Sequence, residues 1–376
     1  MNELFLRPAT FSDCELLLKW KNEHAARQSA FNTAEVSKEE HENWFSNALK
    51  NTDIKIYILE DDGKPVGQAR INREKDVGII DYSIDVSCRG KGLGKKIISL
   101  LEDEAKNTGF VSMLKAEVKK ENEPSRHVFI SLGYAEAEEE NCFSYIKNLR
   151  PIVIVSNKEW HKKHVTEISK RTVSEVIYID KKENVTFENL QKLNPCYVFF
   201  PHWSYIIPSE VYENFECIVF HMTDLPFGRG GSPLQNLIER GIYETKLSSL
   251  RVCKELDAGD IYLKRPLSLW GTAEEIYLRA GELTKEMMIE IVQNKIKPMP
   301  QSGEPVPFKR RKPEQSNISN LESLEKVFDY IRMLDADGYP HAYIDVGKLH
   351  FEFERASLKD GFIKADVKIS INEVQK

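Results

Sequence analysis

The 376-residue sequence predicts an α/β protein with an N-terminal α+β unit, a central unit around a parallel sheet, and a small β-rich C-terminal subdomain. Three observations predict this. Residues 1–149 mix helical periodicity with hairpin signals. A continuous apolar run, Ile152-Val153-Ile154-Val155, then opens a stretch in which strand and helix patterns alternate. Parallel strands buried on both faces and joined by crossover helices require that pattern. The last 55 or so residues give one helix and three short strands. The expected boundaries are 1–149, 151–300 and 301–376.

In chain order, Glu3–Leu6 reads as a short strand and Phe11–Lys21 as a helix. Ser37-Lys38-Glu39-Glu40 is a capping box ahead of an amphipathic helix carrying Trp44 and Phe45. Ile54–Glu60 alternates, Asp62-Gly63 turns and Val66–Asn72 returns, which predicts a hairpin. Gly78–Val86 is a further strand, Lys95–Asn107 a helix, Met113–Val118 a strand, Pro124–Leu132 a helix and Cys142–Ile146 a strand. After Ile152–Val155 come helix Lys158–Lys170, strand Val176–Ile179, helix Phe187–Leu193, and strands Tyr197–Phe200 and Glu216–Phe220. Helix Pro233–Glu239, a hairpin of Leu247–Lys254 and Asp260–Lys264, and helix Thr272–Asn294 complete this unit. Gln301–Asn317 is polar and proline-bearing and reads as a surface connector before helix Leu321–Leu334.

Hydrophobic residues make up 41% and charged residues 30%, an ordinary globular balance. The formal net charge of −6 argues against a general nucleic-acid binder. No apolar run reaches the ~20 residues of a spanning helix, and MNELFLRPAT lacks the features of a signal peptide. The six cysteines are scattered without a CxxC pair. They are expected to be reduced thiols of a cytoplasmic protein, with no metal site.

Arg89-Gly90-Lys91-Gly92-Leu93-Gly94 lies between a predicted strand and a predicted helix. Glycines let backbone approach a phosphate, and a helix N-terminus directs N–H groups at it. On this R-x-x-G-x-G signature and on Asn122-Glu123-Pro124-Ser125 through Leu132-Gly133-Tyr134, residues 1–149 resemble the GNAT acetyltransferase family. The resemblance implies an acetyl-CoA site at Arg89, Gly90, Gly92 and Gly94. Leu6-Arg7-Pro8-Ala9 and Trp20-Lys21-Asn22-Glu23 look closest to the transferases for amino-sugar nucleotides of pseudaminic acid biosynthesis. Many family members place a tyrosine five residues before the final aromatic, as general acid to the leaving thiolate. Here that position is Phe129, which implies weak or absent acetyl transfer.

A second constellation follows. His221 ends a predicted strand, with Leu225-Pro226, Arg229-Gly230-Gly231-Ser232-Pro233 and Leu256-Asp257-Ala258-Gly259-Asp260 after it. Ligands of parallel α/β sheets bind beyond the carboxyl ends of the strands. A His there with a nearby Asp forms a polarised acid/base pair. The ordered set resembles the 10-formyltetrahydrofolate-dependent formyltransferases, whose pattern is N-x-H, S-L-L-P, R-G-x-x-P and L-D-x-G. Phe308–Glu314, Tyr330–Leu334 and Gly338-Tyr339-Pro340 extend the resemblance over nearly everything after residue 150. It implies a Rossmann-like catalytic domain with His221 and Asp257 as catalytic residues. His202, Trp203, Tyr205, Arg229, Gly230 and Asp260 are implied on the folate side. Trp203 and Tyr205 are expected to pack on the pterin, whereas Ile206 and Ile207 read as core.

In that family the His polarises the formyl oxygen, the Asp orients it and takes protons, and the Asn adds a donor. The Asn position is Val219 here. Losing an oxyanion donor costs ~3 kcal/mol in the transition state. Thr223, Ser204 and His202 are the candidates to compensate. The leading expectation is an N-formyltransferase acting from 10-formyltetrahydrofolate on a UDP-linked 4-amino-4,6-dideoxy sugar. It has no nucleic-acid partner and no membrane insertion, and a homodimer is an assembly the reading allows. Two alternatives stay open: a bifunctional enzyme that also N-acetylates from acetyl-CoA, and a degenerate formyltransferase that binds sugar nucleotides.

Overall fold

The computed structural model describes Leu4–Ile371, in two compact units: one of the described residues up to Pro151 with Ser169–Glu175, and one of Ile152–Ile168 with the described residues from Val176 on.

The first unit is a seven-stranded sheet with helices on both faces. Its elements are β1 (Leu4–Pro8), α1 (Cys14–Asn22), α2 (His24–Ser29), α3 (Lys38–Lys50), β2 (Ile54–Asp61), β3 (Lys64–Glu74), β4 (Val77–Ile84), α4 (Leu93–Thr108), β5 (Met113–Lys119), α5 (Glu123–Ser131), β6 (Ala135–Glu138) and β7 (Cys142–Asn148). The strand order is β1-β2-β3-β4-β5-β7-β6. The Ser37 capping box forms with both of its hydrogen bonds, and Asp62-Gly63 turns with positive φ at both residues. Period-two alternation divides β2 between two cores. Tyr57 and Leu59 pack with Ile97, Ile98 and Leu101 of α4, while Ile56 and Ile58 pack with Leu17, Trp20 and Phe45 of α1 and α3.

β4 and β5 are parallel, but they pair only from Val77–Ile79 to Met113–Lys115. Beyond that point β4 continues to Ile84 and β5 to Lys119 without pairing to each other. The sheet is therefore split along this seam, where the backbone polar groups of β4 and β5 do not pair with each other.

The second unit comprises β8 (Ile152–Val155), α6 (Glu159–Lys162), the start of α7 (Val165–Thr172, whose residues from Ser169 on count with the first unit), β9 (Val176–Ile179), α8 (Phe187–Leu193), β10 (Tyr197–Phe200), α9 (Ser209–Tyr212), β11 (Cys217–His221), β12 (Phe227–Gly230), α10 (Pro233–Glu239), β13 (Glu244–Arg251), β14 (Ile261–Ser268), α11 (Ala273–Asn294), β15 (Val306–Phe308), α12 (Leu324–Arg332), β16 (Ala342–Val346), β17 (Leu349–Lys359) and β18 (Phe362–Ile371). Its main sheet has the order β14-β13-β11-β10-β8-β9. β8 to β11 run parallel and the β13–β14 hairpin closes one side antiparallel. All four residues of β8 are buried, as its unbroken apolar run requires. β9 and β10 flank β8 on opposite sides, so the strand order reverses there and a crevice opens at the carboxyl ends. β16–β18 form a separate antiparallel sheet against which α12 packs.

Several local expectations need correction. The helix expected over Lys158–Lys170 is broken into α6 and α7, a turn that lets His161 and His164 both bury. The expected connector Gln301–Asn317 contains β15, which pairs with β12 and buries Phe308. Ile207 is core, but Ile206 is 96% exposed. No helix among the described residues is long and apolar enough to cross a membrane, and none of the six cysteines is joined in a disulfide.

Candidate active site

His221 closes β11 at its carboxyl end and is buried. Its Nε2 donates to the Gly228 carbonyl at 2.7 Å, and its Nδ1 lies 3.6 Å from Asp257 Oδ2. With Nε2 as the donor to Gly228, Nδ1 is left facing a carboxylate. A proton captured at Nδ1 converts that contact into an ion-paired hydrogen bond. The Gly230 N–H donates to the same Asp257 Oδ2 at 2.9 Å and fixes the carboxylate. Thr223, fully buried, also directs its hydroxyl at the Gly228 carbonyl, at 3.5 Å. Two donors, Nε2–H and Oγ1–H, thus converge on one oxygen.

The glycines of this segment are demanded by space. A Cβ on Gly230, at φ +112°, would stand 2.3 Å from the Phe308 carbonyl oxygen. One on Gly259 would stand 1.9 Å from the Arg251 oxygen. Asp257 itself is held at φ +53°, in the left-handed region.

Gln301 is the residue that sequence reasoning missed. Its Nε2 donates to the carbonyls of Asp257 and Gly259, both at 2.8 Å, and its Oε1 accepts from Arg229 Nε and Nη2 at 3.2 and 2.7 Å. One amide therefore ties the Arg229 guanidinium to the loop that carries Asp257. Gln301→Ala is expected to lower formylation kcat/KM by about tenfold while shifting thermal stability little. Steady-state kinetics beside a melting curve check it, and unchanged kcat/KM would remove Gln301 from the site.

Of the other expected folate-side residues, His202 lies after β10 at φ +49°, with Nδ1 3.0 Å from His161 Nε2. Burial pushes its imidazole down to about 4 and that of His161 to about 2, so both are neutral at pH 7. Trp203 is half-buried against Phe200 and meets Tyr205 edge-on, while Tyr205 is exposed. Asp260 enters through its backbone, its carbonyl accepting from Arg251 N at 2.9 Å. Val219 sits on β11 one alternate residue before His221, half-buried with Phe200, Trp203 and Val252. Among the three candidates to replace its donor, the structure brings only Thr223 onto the oxygen that His221 contacts. His202 is engaged by His161, and Ser204 is exposed.

No metal was expected. Asp335, His341 and Glu354 do bring ligand atoms within 4.8 Å of one another, but Asp335 already accepts from Arg355 N and Glu354 pairs with the Arg355 guanidinium.

The first unit holds its own site. A cleft of about 1080 Å³ runs along the seam between β4 and β5, and Arg89, Gly90, Gly92 and Gly94 all line it, as do Trp44 and Tyr82. Gly90 and Gly92 have φ of +76° and +78°, and Gly92 caps α4. Gly94 permits close packing, since a Cβ there would lie 3.3 Å from Val128 Cγ2. Arg89 does not stand free: it donates to the Ile84 carbonyl at 3.0 Å and to Glu23 Oε2 at 2.7 Å. Desolvation raises the Glu23 carboxyl, but hydrogen bonds from Arg89, Ala25 N and Ala26 N outweigh it and hold the group below its ordinary range.

Comparison with known proteins bears on both units. The family model for the methionyl-tRNA formyltransferase C-terminal domain matches residues 313–370, and that for the acetyltransferase (GNAT) family matches residues 19–134. The solved structure of methionyl-tRNA formyltransferase from Clostridium thermocellum is 52% identical, with a TM-score of 0.57, covering 59% of this chain and 99% of that one. The chain belongs to the methionyl-tRNA formyltransferase family. It carries in addition a GNAT acetyltransferase domain. Methionyl-tRNA formyltransferase of Bacillus cytotoxicus is 30% identical over 171 residues, 43% of this chain and 54% of that protein. That of Rickettsia felis is 28% identical over 169 residues, 43% and 55% respectively. The chain spans about half the length of these curated relatives.

Proposed function

We propose that this protein is a cytoplasmic N-formyltransferase that uses 10-formyltetrahydrofolate to formylate the amine of a UDP-linked 4-amino-4,6-dideoxy sugar, and that its GNAT domain binds acetyl-CoA. The observation that carries the formyl-transfer reading is the His221–Asp257 pair at a strand end, with Gly230 N–H on the same carboxylate.

The residues present suit a folate. Ile206 and Leu256, 96% and 73% exposed, hold large apolar side chains in water on the loops that carry His202 and Asp257. Such side chains gain from a flat apolar cover. Bound there, the folate supplies an activated formyl carbon. His221 Nδ1, backed by Asp257, is the acceptor for the proton that an attacking amine must lose. An oxyanion needs converging donors; His221 Nε2–H and the Thr223 hydroxyl both point at the Gly228 carbonyl, and they serve the oxyanion, Thr223 in place of the Asn lost to Val219, once that carbonyl gives way to it. Restoring Asn there is expected to be unproductive. Val219→Asn puts an amide among Phe200, Trp203 and Val252, at a cost of ~1–3 kcal/mol. A melting temperature at or above wild type together with faster formylation would contradict this.

The relatives are named for methionyl-tRNA, and a tRNA acceptor is the competing reading. Binding tRNA takes many phosphate contacts from basic residues, and the chain is net negative. Within its one basic run, Lys309–Lys312, Arg311 is only 7% exposed and pairs with Glu239 at 2.6 Å. An amino-sugar acceptor also accords with a fused acyltransferase domain, and membrane and nucleic acid have no part in this reading. The test is to incubate the full chain with 10-formyltetrahydrofolate and the UDP-amino sugar and read product masses. Formylated sugar nucleotide is expected, and unmodified sugar would reject the assignment.

For the GNAT domain, the cleft volume suits an extended ligand, and the glycine turn at the start of α4 suits a pyrophosphate. Arg89 must exchange Glu23 for that phosphate. Glu23→Gln is therefore expected to tighten acetyl-CoA binding several-fold, measured by calorimetry, and weaker binding would show Glu23 to be an organiser of the turn.

A further inference from the structure

Phe129 occupies the position where a general acid is expected for acetyl transfer, and it is core. It is buried, stacked on Tyr145 at 5.3 Å, and edge-on to both Tyr134 and Tyr82. A hydroxyl nevertheless stands beside it in the cleft. Tyr82 lies on the half of β4 that pairs with β3 but not with β5, its ring centroid 6.0 Å from that of Phe129. Its Oη lies 2.8 Å from Ser125 Oγ, and Ser125 precedes Phe129 by one turn of α5. Tyr82, Ser125, Phe129 and Gly94 line the same cleft. Gly94, at the start of α4, lies against the Tyr82 ring: a Cβ there would stand 3.5 Å from Tyr82 Cε2 and 3.6 Å from its Oη.

From this placement we propose that Tyr82 is the proton donor of the GNAT site, standing in for the tyrosine that Phe129 has replaced, with Ser125 as its positioning residue. The inference rests on the reading that this domain holds acetyl-CoA, and it extends that reading to acetyl transfer onto an amine. Tyr82 passes its hydroxyl proton to the departing sulphur as the amine nitrogen bonds to the acetyl carbon and the carbon–sulphur bond breaks. Ser125 then returns a proton to the Tyr82 oxygen and regains one from water. The proton shed by the amine goes to water, so one proton leaves nitrogen, one reaches sulphur, and the protein ends unchanged. Burial pushes the Tyr82 hydroxyl above its ordinary value, with the Ser125 bond acting in the opposite sense, so the group is protonated at neutral pH. A thiol ionises near ~8.5, so a hydrogen-bond donor at the sulphur also eases its departure.

The test uses the full chain with acetyl-CoA and the UDP-linked 4-amino sugar, comparing wild type, Tyr82→Phe, Ser125→Ala and the double variant Tyr82→Phe/Phe129→Tyr. Calorimetry reports acetyl-CoA affinity, thiol release reports turnover, and ultraviolet absorbance reports ionisation of the CoA thiol on the protein. Tyr82→Phe keeps the ring and its packing. It is expected to bind acetyl-CoA as wild type does, to lose about 100-fold in kcat, and to raise the pH at which bound CoA ionises. Ser125→Ala is expected to lower kcat less and to shift its pH profile, and Phe129→Tyr to recover part of the loss. If wild type acetylates and Tyr82→Phe matches it in kcat and in thiol ionisation, Tyr82 is not the donor, although the acetyl-CoA reading stands. If wild type binds no acetyl-CoA, or binds it and acetylates no amine, the reading of transfer falls and this proposal with it.

Discussion

Replacing either His221 or Asp257 with alanine is expected to lower formylation kcat by roughly 10³-fold, with the double variant little worse than the singles. The two residues act as one unit: the carboxylate orients the ring and faces the nitrogen that takes the proton. Asp257→Ala also strands the Gly230 N–H, so ~1–3 kcal/mol of stability should go with it. Asp257→Asn separates the two effects. It keeps an oxygen for Gly230 but removes the charge behind Nδ1, so activity should fall while the melting temperature is largely held. A folded variant of either residue that formylates at near wild-type rate would remove the pair from the mechanism.

The second large effect is steric. Gly259→Ala drives a methyl group to 1.9 Å from the Arg251 carbonyl oxygen, and Gly230→Ala drives one to 2.3 Å from that of Phe308. Both new contacts are with backbone and cannot be relieved by a rotamer change. Each variant is expected to lose ~3 kcal/mol and nearly all formyl transfer. Acetyl-CoA binding by the first unit should be kept, because its glycine turn and cleft are built from residues 17–129 alone. Calorimetry with acetyl-CoA beside a formylation assay checks this, and normal formylation by Gly259→Ala would mean the loop is not held as described.

Local signals carried much of the fold. Ser37 and Glu40 make their capping box within one turn, and Asp62-Gly63 meets the φ requirement of its hairpin, so neither needs the rest of the chain. The unbroken run of β8 reports burial directly, whereas β2, expected to alternate, is buried on both faces from Ile56 to Leu59 because helices cover both sides of the sheet. What stayed hidden depends on distant partners. Phe227–Gly230, with two glycines in four residues, has no strand character, and it is a strand because β15, some 80 residues on, pairs with it. Gln301 looks like any polar connector residue, and its role exists only where the Asp257 loop and Arg229 converge on it. Ile206 and Ile207 are indistinguishable in sequence, yet one enters the core below β10 and the other faces water. At the candidate sites, the order of a motif singled out His221 and Asp257, and the fold brings them within 3.6 Å of one another. Tyr82 was not legible as a proton donor, because only the fold sets its hydroxyl on Ser125 and beside Phe129.

The acceptor is what the proposed function turns on, and one measurement addresses it most directly. The full chain, supplied with 10-formyltetrahydrofolate, is offered the UDP-linked 4-amino-4,6-dideoxy sugar and methionyl-tRNA in parallel, and kcat/KM is determined for each. The sugar nucleotide should be formylated with a kcat/KM at least 100-fold above that for the tRNA, and its product should carry one added formyl group. Efficient formylation of methionyl-tRNA with the sugar left unmodified would contradict the proposed function.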